Sequence, residues 1–357
     1  MNRPRLLFAV AMLAILVLAA AFRLPRLAQR PMHADEANQA VKSGRLHETG
    51  KYDYDTTDHH GPSLYWLTLP SLAISGVKDL AGSREVAYRI VPVLFGLGLI
   101  GLLMLLADGL GRPAVVVAAL LTAISPAMVF YSRYYIQETL LLFFTLAALG
   151  CGWRYVRTRR LAWILAAGAA VGMMHATKET WILSAAAAIA AAALNWACRR
   201  SSPSGRRAGG EGILPSPLLF HILAAILTAC LVATAFFSMF GKNWLGPWDS
   251  VCAYANYFRR GSRQGDHSEP WHYYLQLFFA YRPSKRIFWS EGFIAVLAII
   301  GAVVSLVRRS IATDGKEPLP SPLTVHRPLS TSPALPRFLA FFTFLLTLLY
   351  SLISYKT

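Results

Sequence analysis

Nine long apolar stretches recur along this chain, at residues 6–22, 88–107, 113–130, 138–153, 161–175, 181–197, 217–240, 290–307 and 338–354. A helix that crosses a bilayer needs roughly 20 mostly apolar residues. A water-soluble core built from 357 residues has no room for nine such runs. Composition agrees, with 55% hydrophobic and only 15% charged residues, where soluble chains carry about 25% charged residues. The expected fold is therefore all-α, a polytopic integral membrane protein of about nine spanning helices. Arg3 and Arg5 before the first run resemble the start of a signal peptide. Phe22-Arg23-Leu24-Pro25-Arg26 then follows instead of a small-residue cleavage site, so an uncleaved helix is expected. The four cysteines, Cys151, Cys198, Cys230 and Cys252, form neither a metal ribbon nor a disulfide framework.

The net charge of +17 would point to nucleic acid in a soluble chain. Here Lys and Arg cluster between apolar runs, which fits loops held against anionic lipid, and no nucleic-acid partner is expected. With the N-terminus in the cytoplasm, the inside segments carry 16 basic residues against four acids (Asp108, Glu211, Asp314, Glu317). The other 14 acids lie outside, mostly in two long segments near 23–87 and 241–289. Short loops follow the positive-inside rule in this orientation. The Ser/Pro/Gly-rich stretches at 199–217 and 308–337 read as connectors. The chain divides into an N-terminal membrane module, 1–200, and further membrane helices, 201–357. Chemistry is expected on the outer face.

The first long loop concentrates carboxylates and imidazoles: Asp35, Glu36, Glu48, Asp53, Asp55 and Asp58 stand beside His33, His47, His59 and His60. Such groups close together are what a general base or a divalent metal requires. Residues 36–46 suit a short helix with Gly50 beyond its end, which places Asp35 near a positive helix terminus. Gly61-Pro62 breaks the chain before Ser63-Leu64-Tyr65-Trp66-Leu67, where Tyr65 and Trp66 suit the headgroup level. Two short interfacial helices joined by a polar hairpin are expected. Arg133 and Lys178 are lone cations in short outer turns, where an anionic substrate would use them.

Each of these residues has a structural alternative. Asp35 suits a helix cap, Arg133 suits snorkelling beside Tyr131 and Tyr134, and Lys178 with Glu179 suits a solvated turn. Arg89 suits an ion pair with Glu85 one helical turn away.

In order along the chain, Asp35-Glu36 directly after the first span and His60-Gly61-Pro62 leading into Leu64-Tyr65-Trp66-Leu67 resemble the GT-C glycosyltransferases. Protein O-mannosyltransferases, the aminoarabinose transferase of lipid A and related lipopolysaccharide glycosyltransferases belong to this superfamily. The nearest likeness is to a small prokaryotic branch, the flippase-activity-associated group, with Asp-Glu, His-Gly-Pro and a few fixed arginines. Arg89 and Arg133 match those arginines, and Thr177-Lys178-Glu179 is similar to the group's Thr-Lys-Gly turn. The resemblance covers roughly residues 1–180. Many relatives have an acid followed by Lys-Pro-Pro where this chain has His59-His60-Gly61-Pro62. In that branch a Tyr-Lys-Thr like Tyr355-Lys356-Thr357 is followed by more chain, so a truncated C-terminus is expected.

The resemblance implies a multi-pass protein of the prokaryotic inner membrane. It implies transfer, with inversion, from a polyprenyl-phosphate sugar donor to a glycan, lipid or protein acceptor on the extracytoplasmic face. Asp35 is then the base and Glu36 helps orient the acceptor. His60, Arg133, Lys178 and Arg89 hold the donor phosphate. A divalent metal would be held by His59 and Asp35, and Asp58, Gly61, Pro62 and Glu138 complete the site. The rival readings are a transporter or flippase-associated subunit and an inactive remnant. Transporter sites use buried charges near the midplane, and the span centres here are almost free of ionisable residues.

Overall fold

The computed structural model describes residues 3–52, 54–57, 60–200, 216–261, 270–279, 281–284, 287–311 and 334–353. Every apolar stretch seen in the sequence is helical there. Six helices are long and apolar enough to cross a membrane: α1 (Arg3–Arg23), Glu85–Leu110, α8 (Glu138–Thr158), Trp181–Cys198 within α10 (Trp181–Arg200), Leu218–Phe237 within α11 (Ser216–Phe237), and α15 (Ala334–Leu352). The second of these is α4 (Glu85–Leu102) continued by a 3-10 turn, Leu103–Leu106, and α5 (Ala107–Leu110). The remaining three stretches, in α6 (Arg112–Ile124), α9 (Leu161–His175) and α14 (Gly292–Ile311), give shorter apolar helices. The run expected at 113–130 is interrupted for a local reason. Ser125 leaves helical geometry and its Oγ accepts from Met128 N–H, which starts a separate α7 (Pro126–Tyr131) with proline in its first turn.

The first long loop holds two helices, α2 (Ala34–Thr49) and α3 (Ser63–Ile74). Gly50 ends α2 in the left-handed region, φ 63°, with its N–H on Leu46 O. Helix α3 is buried on one face and exposed on the other, at Pro70, Ala73 and Ile74. Leu64, Tyr65 and Leu72 are fully buried, so Tyr65 is a core residue and not a headgroup anchor. The core gathers Leu46, Tyr52, Leu64, Tyr65, Tyr88, Tyr135, Leu140 and Met174 from α2, α3, α4, α8, α9 and the segments around them. Helices α9 and α11 approach backbone to backbone. A Cβ on Gly168 would stand 2.3 Å from Ala225 O, and one on Gly172 would stand 2.5 Å from Ala229 O. Small residues four apart on each helix permit this contact, which replaces the hydrophobic effect as the packing force in lipid.

Two compact units emerge: Met1–Leu105 with Val116–Ile182 and Leu214–Arg263, and Leu106–Val115 with Leu183–Ile213 and Gln264–Thr357. The first contains α2, α3 and α12 (Gly246–Gly261). In the second, α14 packs on α15, and Asn195 Nδ2 donates to Ala334 O at 3.2 Å. That unit also contains α13 (Tyr273–Phe279) and the only strands among the described residues, an antiparallel pair of β1 (Tyr281–Ser284) and β2 (Ile287–Trp289).

Candidate active site

The adjacent acids at 35 and 36 point opposite ways because α2 starts between them and the loop. His33 is the N-cap: Glu36 accepts from the His33 N–H at 3.2 Å, and His33 Nδ1 accepts from the Asp35 N–H at 3.4 Å. This is a capping box with imidazole in the place usually taken by a hydroxyl. Asp35 is therefore a first-turn residue, not the cap, and its side chain is 67% exposed. Glu36 is 0% exposed. Arg89 grips it in a fork, Nε to Oε1 and Nη2 to Oε2, both 2.9 Å. Arg30 Nη2 adds a bond at 2.7 Å, and the Tyr135 N–H adds one at 3.0 Å. Burial pushes the Glu36 carboxyl up, but these partners outweigh it and hold it below the usual range. Glu36, expected to share the chemistry, is thus sealed in the wall beneath Asp35.

Arg89 is buried with it and does not pair with Glu85. Its Nη1 donates to Leu27 O at 2.6 Å and Arg30 O at 2.7 Å, and its Nη2 reaches Pro31 O at 3.2 Å. All five of its N–H donors are spent, so the phosphate role expected for Arg89 would require breaking this knot. Arg133 is half-buried and ties down the end of α1, with Nη1 on Phe22 O at 3.0 Å and Nη2 on Pro25 O at 2.7 Å. Cations at helix C-termini satisfy carbonyls that have no partner within the helix. Burial, then the nearby charges of Arg89 and Arg30, lower the Arg133 pKa.

The His60-Gly61-Pro62 hairpin docks on the turn after α9. Ser63 N–H donates to Ala176 O at 2.8 Å, and the Ser63 and Thr177 hydroxyls bond at 2.8 Å. Gly61 is required by proximity, since a Cβ there would stand 2.3 Å from Ala176 O. Pro62 caps α3. The docking sets His60 Nδ1 2.9 Å from Glu179 Oε2, while Lys178 Nζ lies 2.5 Å from Glu138 Oε1. Burial raises the Glu179 carboxyl, but the hydrogen bond and charge of His60 carry it below the usual range. Neither member of the turn is merely solvated, because each is paired across the site. Asp58 and His59 lie outside the described residues. Among the described residues no three His, Cys, Asp or Glu side chains come together as a metal site. Asp35 Oδ2 and His33 Nδ1, 3.3 Å apart, are two ligands without a third.

Several residues here carried no sequence signal. Tyr134 Oη lies 2.7 Å from His33 Nδ1 and 3.4 Å from Asp35 Oδ2. Behind Asp35 a buried polar seam runs along α2: Tyr65 Oη donates to Gln39 Oε1 at 2.5 Å, Gln137 Nε2 donates to the same oxygen at 2.9 Å, and Tyr135 Oη lies 2.6 Å from both Ser43 Oγ and Thr68 Oγ1. Glu36, Gln39 and Ser43 recur at helical spacing, so α2 buries a polar face that a hydropathy pattern assigns to solvent. A fully paired seam of this kind holds a site rigidly.

Residues 59–204 match the family model described as dolichyl-phosphate-mannose-protein mannosyltransferase. No curated protein matches the chain by sequence. Among solved structures, ArnT from Cupriavidus metallidurans in the apo state aligns with a TM-score of 0.61 at 15% identity, over 99% of this chain and 55% of ArnT. ArnT bound to undecaprenyl phosphate gives 0.60 at 14% identity, over 99% and 56%. AglB, the oligosaccharyltransferase of Archaeoglobus fulgidus in complex with an inhibitory peptide and a dolichol-phosphate, gives 0.50 at 14% identity, over 99% and 50%. At these identities the likeness is one of fold, and this chain spans little more than half the length of ArnT.

Proposed function

We propose that this polytopic membrane protein, which has the fold of the GT-C glycosyltransferases, moves a sugar from a polyprenyl-phosphate carrier to an acceptor. The observation that carries the reading is the division of labour at the Asp-Glu pair. One carboxylate is exposed at a helix N-terminus, touched by Tyr134 and His33, while its neighbour is locked by Arg89, Arg30 and backbone donors. A base must be within reach of substrate and held still. Asp35 meets both needs.

The reaction is a direct displacement. The acceptor hydroxyl or amine gives its proton to Asp35 and attacks the anomeric carbon. The bond from that carbon to the phosphate oxygen breaks, and its electrons stay on the phosphate, whose charge rises from −1 to −2. One displacement inverts the anomeric centre. Lys178 and His60, each already held by an acid, are positioned to follow the phosphate charge as it grows, and Arg133 adds charge from α1's end. Preorganised cations of this kind contribute on the order of 10²–10³-fold each. The sugar, glycan, lipid or protein acceptor and the extracytoplasmic placement of the loop are parts of the proposal. ArnT and AglB were solved with an undecaprenyl phosphate and a dolichol-phosphate, respectively, which supports a lipid-linked donor here.

The test is purified protein incubated with radiolabelled polyprenyl-phosphate sugars and a membrane extract. Transfer of label into a lipid, glycan or protein fraction supports the reading. No transfer from any of a panel of hexose, pentose and amino-sugar donors would argue for a transporter-associated role.

A further inference from the structure

Arg30 stacks on Tyr134, whose hydroxyl reaches Asp35, and no motif marked it. Its guanidinium is fixed from several sides: Nη2 donates to Glu36 at 2.7 Å, and the plane lies 5.1 Å from the Tyr134 ring centroid and 5.6 Å from that of Phe130. The side chain is nevertheless 45% exposed. Among the described residues its Nε and Nη1 make no hydrogen bond. Tyr134, over which it stacks, is the residue whose hydroxyl reaches Asp35 and His33. Arg30 is thus a held, partly exposed cation with unused donors, linked to the exposed Asp35 carboxylate through Tyr134.

Charge accounting favours an anion at this place. Arg30, Arg89 and Arg133 surround two acids, Asp35 and Glu36, which leaves one uncompensated positive charge. Arg89 has spent its donors and Arg133 has spent both terminal nitrogens on α1. Among the described residues Arg30 makes one hydrogen bond, through Nη2 to Glu36, the fewest of the three. The depressed Arg133 pKa reports the same crowding of like charge after burial. At the other candidate place each cation already has its own acid, Lys178 with Glu138 and His60 with Glu179. A phosphodiester carries −1, which neutralises the arginine group.

We infer that Arg30 is a substrate-binding residue that contacts the phosphodiester of the lipid-linked donor, directly beside Asp35. The inference rests on the glycosyl-transfer reading above. When the carbon–oxygen bond breaks, the phosphate gains one negative charge while Asp35 takes up the acceptor's proton and becomes neutral. The group of charges around Arg30 therefore sums to zero before and after transfer. A guanidinium fork matches two phosphate oxygens, which an ammonium cannot do.

The experiment measures binding of undecaprenyl phosphate to the purified full chain in detergent, for wild type, Arg30→Gln and Arg30→Lys, with thermal stability read on the same samples. Arg30→Gln keeps an N–H for Glu36, so it should melt near wild type while binding falls by about tenfold to a hundredfold, the range for a charge-assisted bond. Arg30→Lys should recover part of that loss. Inorganic phosphate alone should bind far more weakly than the lipid phosphate. Wild-type affinity in a folded Arg30→Gln would overturn the role of Arg30, and equal affinity for inorganic phosphate would overturn its assignment to a lipid-linked donor. Absence of undecaprenyl phosphate binding in the wild type would instead overturn the glycosyl-transfer reading itself.

Discussion

Aspartate and glutamate differ by one methylene, yet residues 35 and 36 are set to opposite tasks by where α2 begins. Removing the Glu36 charge leaves Arg89 buried beside a neutral group, and breaking a buried pair costs about 3–5 kcal/mol. Glu36→Gln should therefore lower Tm sharply. The pH dependence follows from the depressed carboxyl. Its stabilisation is complete above about pH 4.3, the ordinary glutamate value, and is lost as pH falls through the lower folded value. Wild-type Tm measured from pH 6 to pH 3 should fall more steeply than that of Glu36→Gln. Parallel acid profiles would remove Glu36 from this role. The sequence displayed the Asp-Glu pair and its setting. It did not display which acid is locked, because the locking donors come from Arg89, more than fifty residues away, and from the Tyr135 backbone.

At the scale of elements, the site exists because a hairpin and a turn dock without a side chain between them. Gly61→Ala places a methyl group 2.3 Å from Ala176 O. Overpacking of this kind costs about 1–3 kcal/mol, and here it also pulls His60 away from Glu179. Transfer should fall together with Tm in Gly61→Ala, and a variant of unchanged stability and rate would contradict the docking. The Gly-Pro break and the helix after it were legible from turn chemistry. The length of α2 was underestimated because His33 serves as cap in place of Ser or Thr. The burial of α2's inner face was illegible because that face is polar and is satisfied by partners from α3 and the start of α8.

Over the whole molecule, the apolar runs foretold the long helices, because lipid leaves the backbone no other partner, but not α12 or α13. They did not foretell the break at Ser125, which rests on one side-chain cap, or the β hairpin near 281–289. The proposed orientation puts the α2 loop outside and the α8–α9 turn inside. In a background without the four native cysteines, Thr49→Cys, on the exposed end of α2, should react with an impermeant thiol reagent in intact cells. Thr158→Cys, exposed at the end of α8, should react only after permeabilisation. The reverse pattern would place the Asp-Glu loop in the cytoplasm. The role of Asp35 as base of a glycosyl transfer is tested most directly by the transfer rate of Asp35→Asn from a polyprenyl-phosphate sugar. Asparagine keeps the size and loses the basicity while Glu36, Arg89 and the His33 cap stay in place. Its rate should lie at least about 10²-fold below wild type with Tm unchanged, and turnover near wild type in that folded variant would remove Asp35 from the base role.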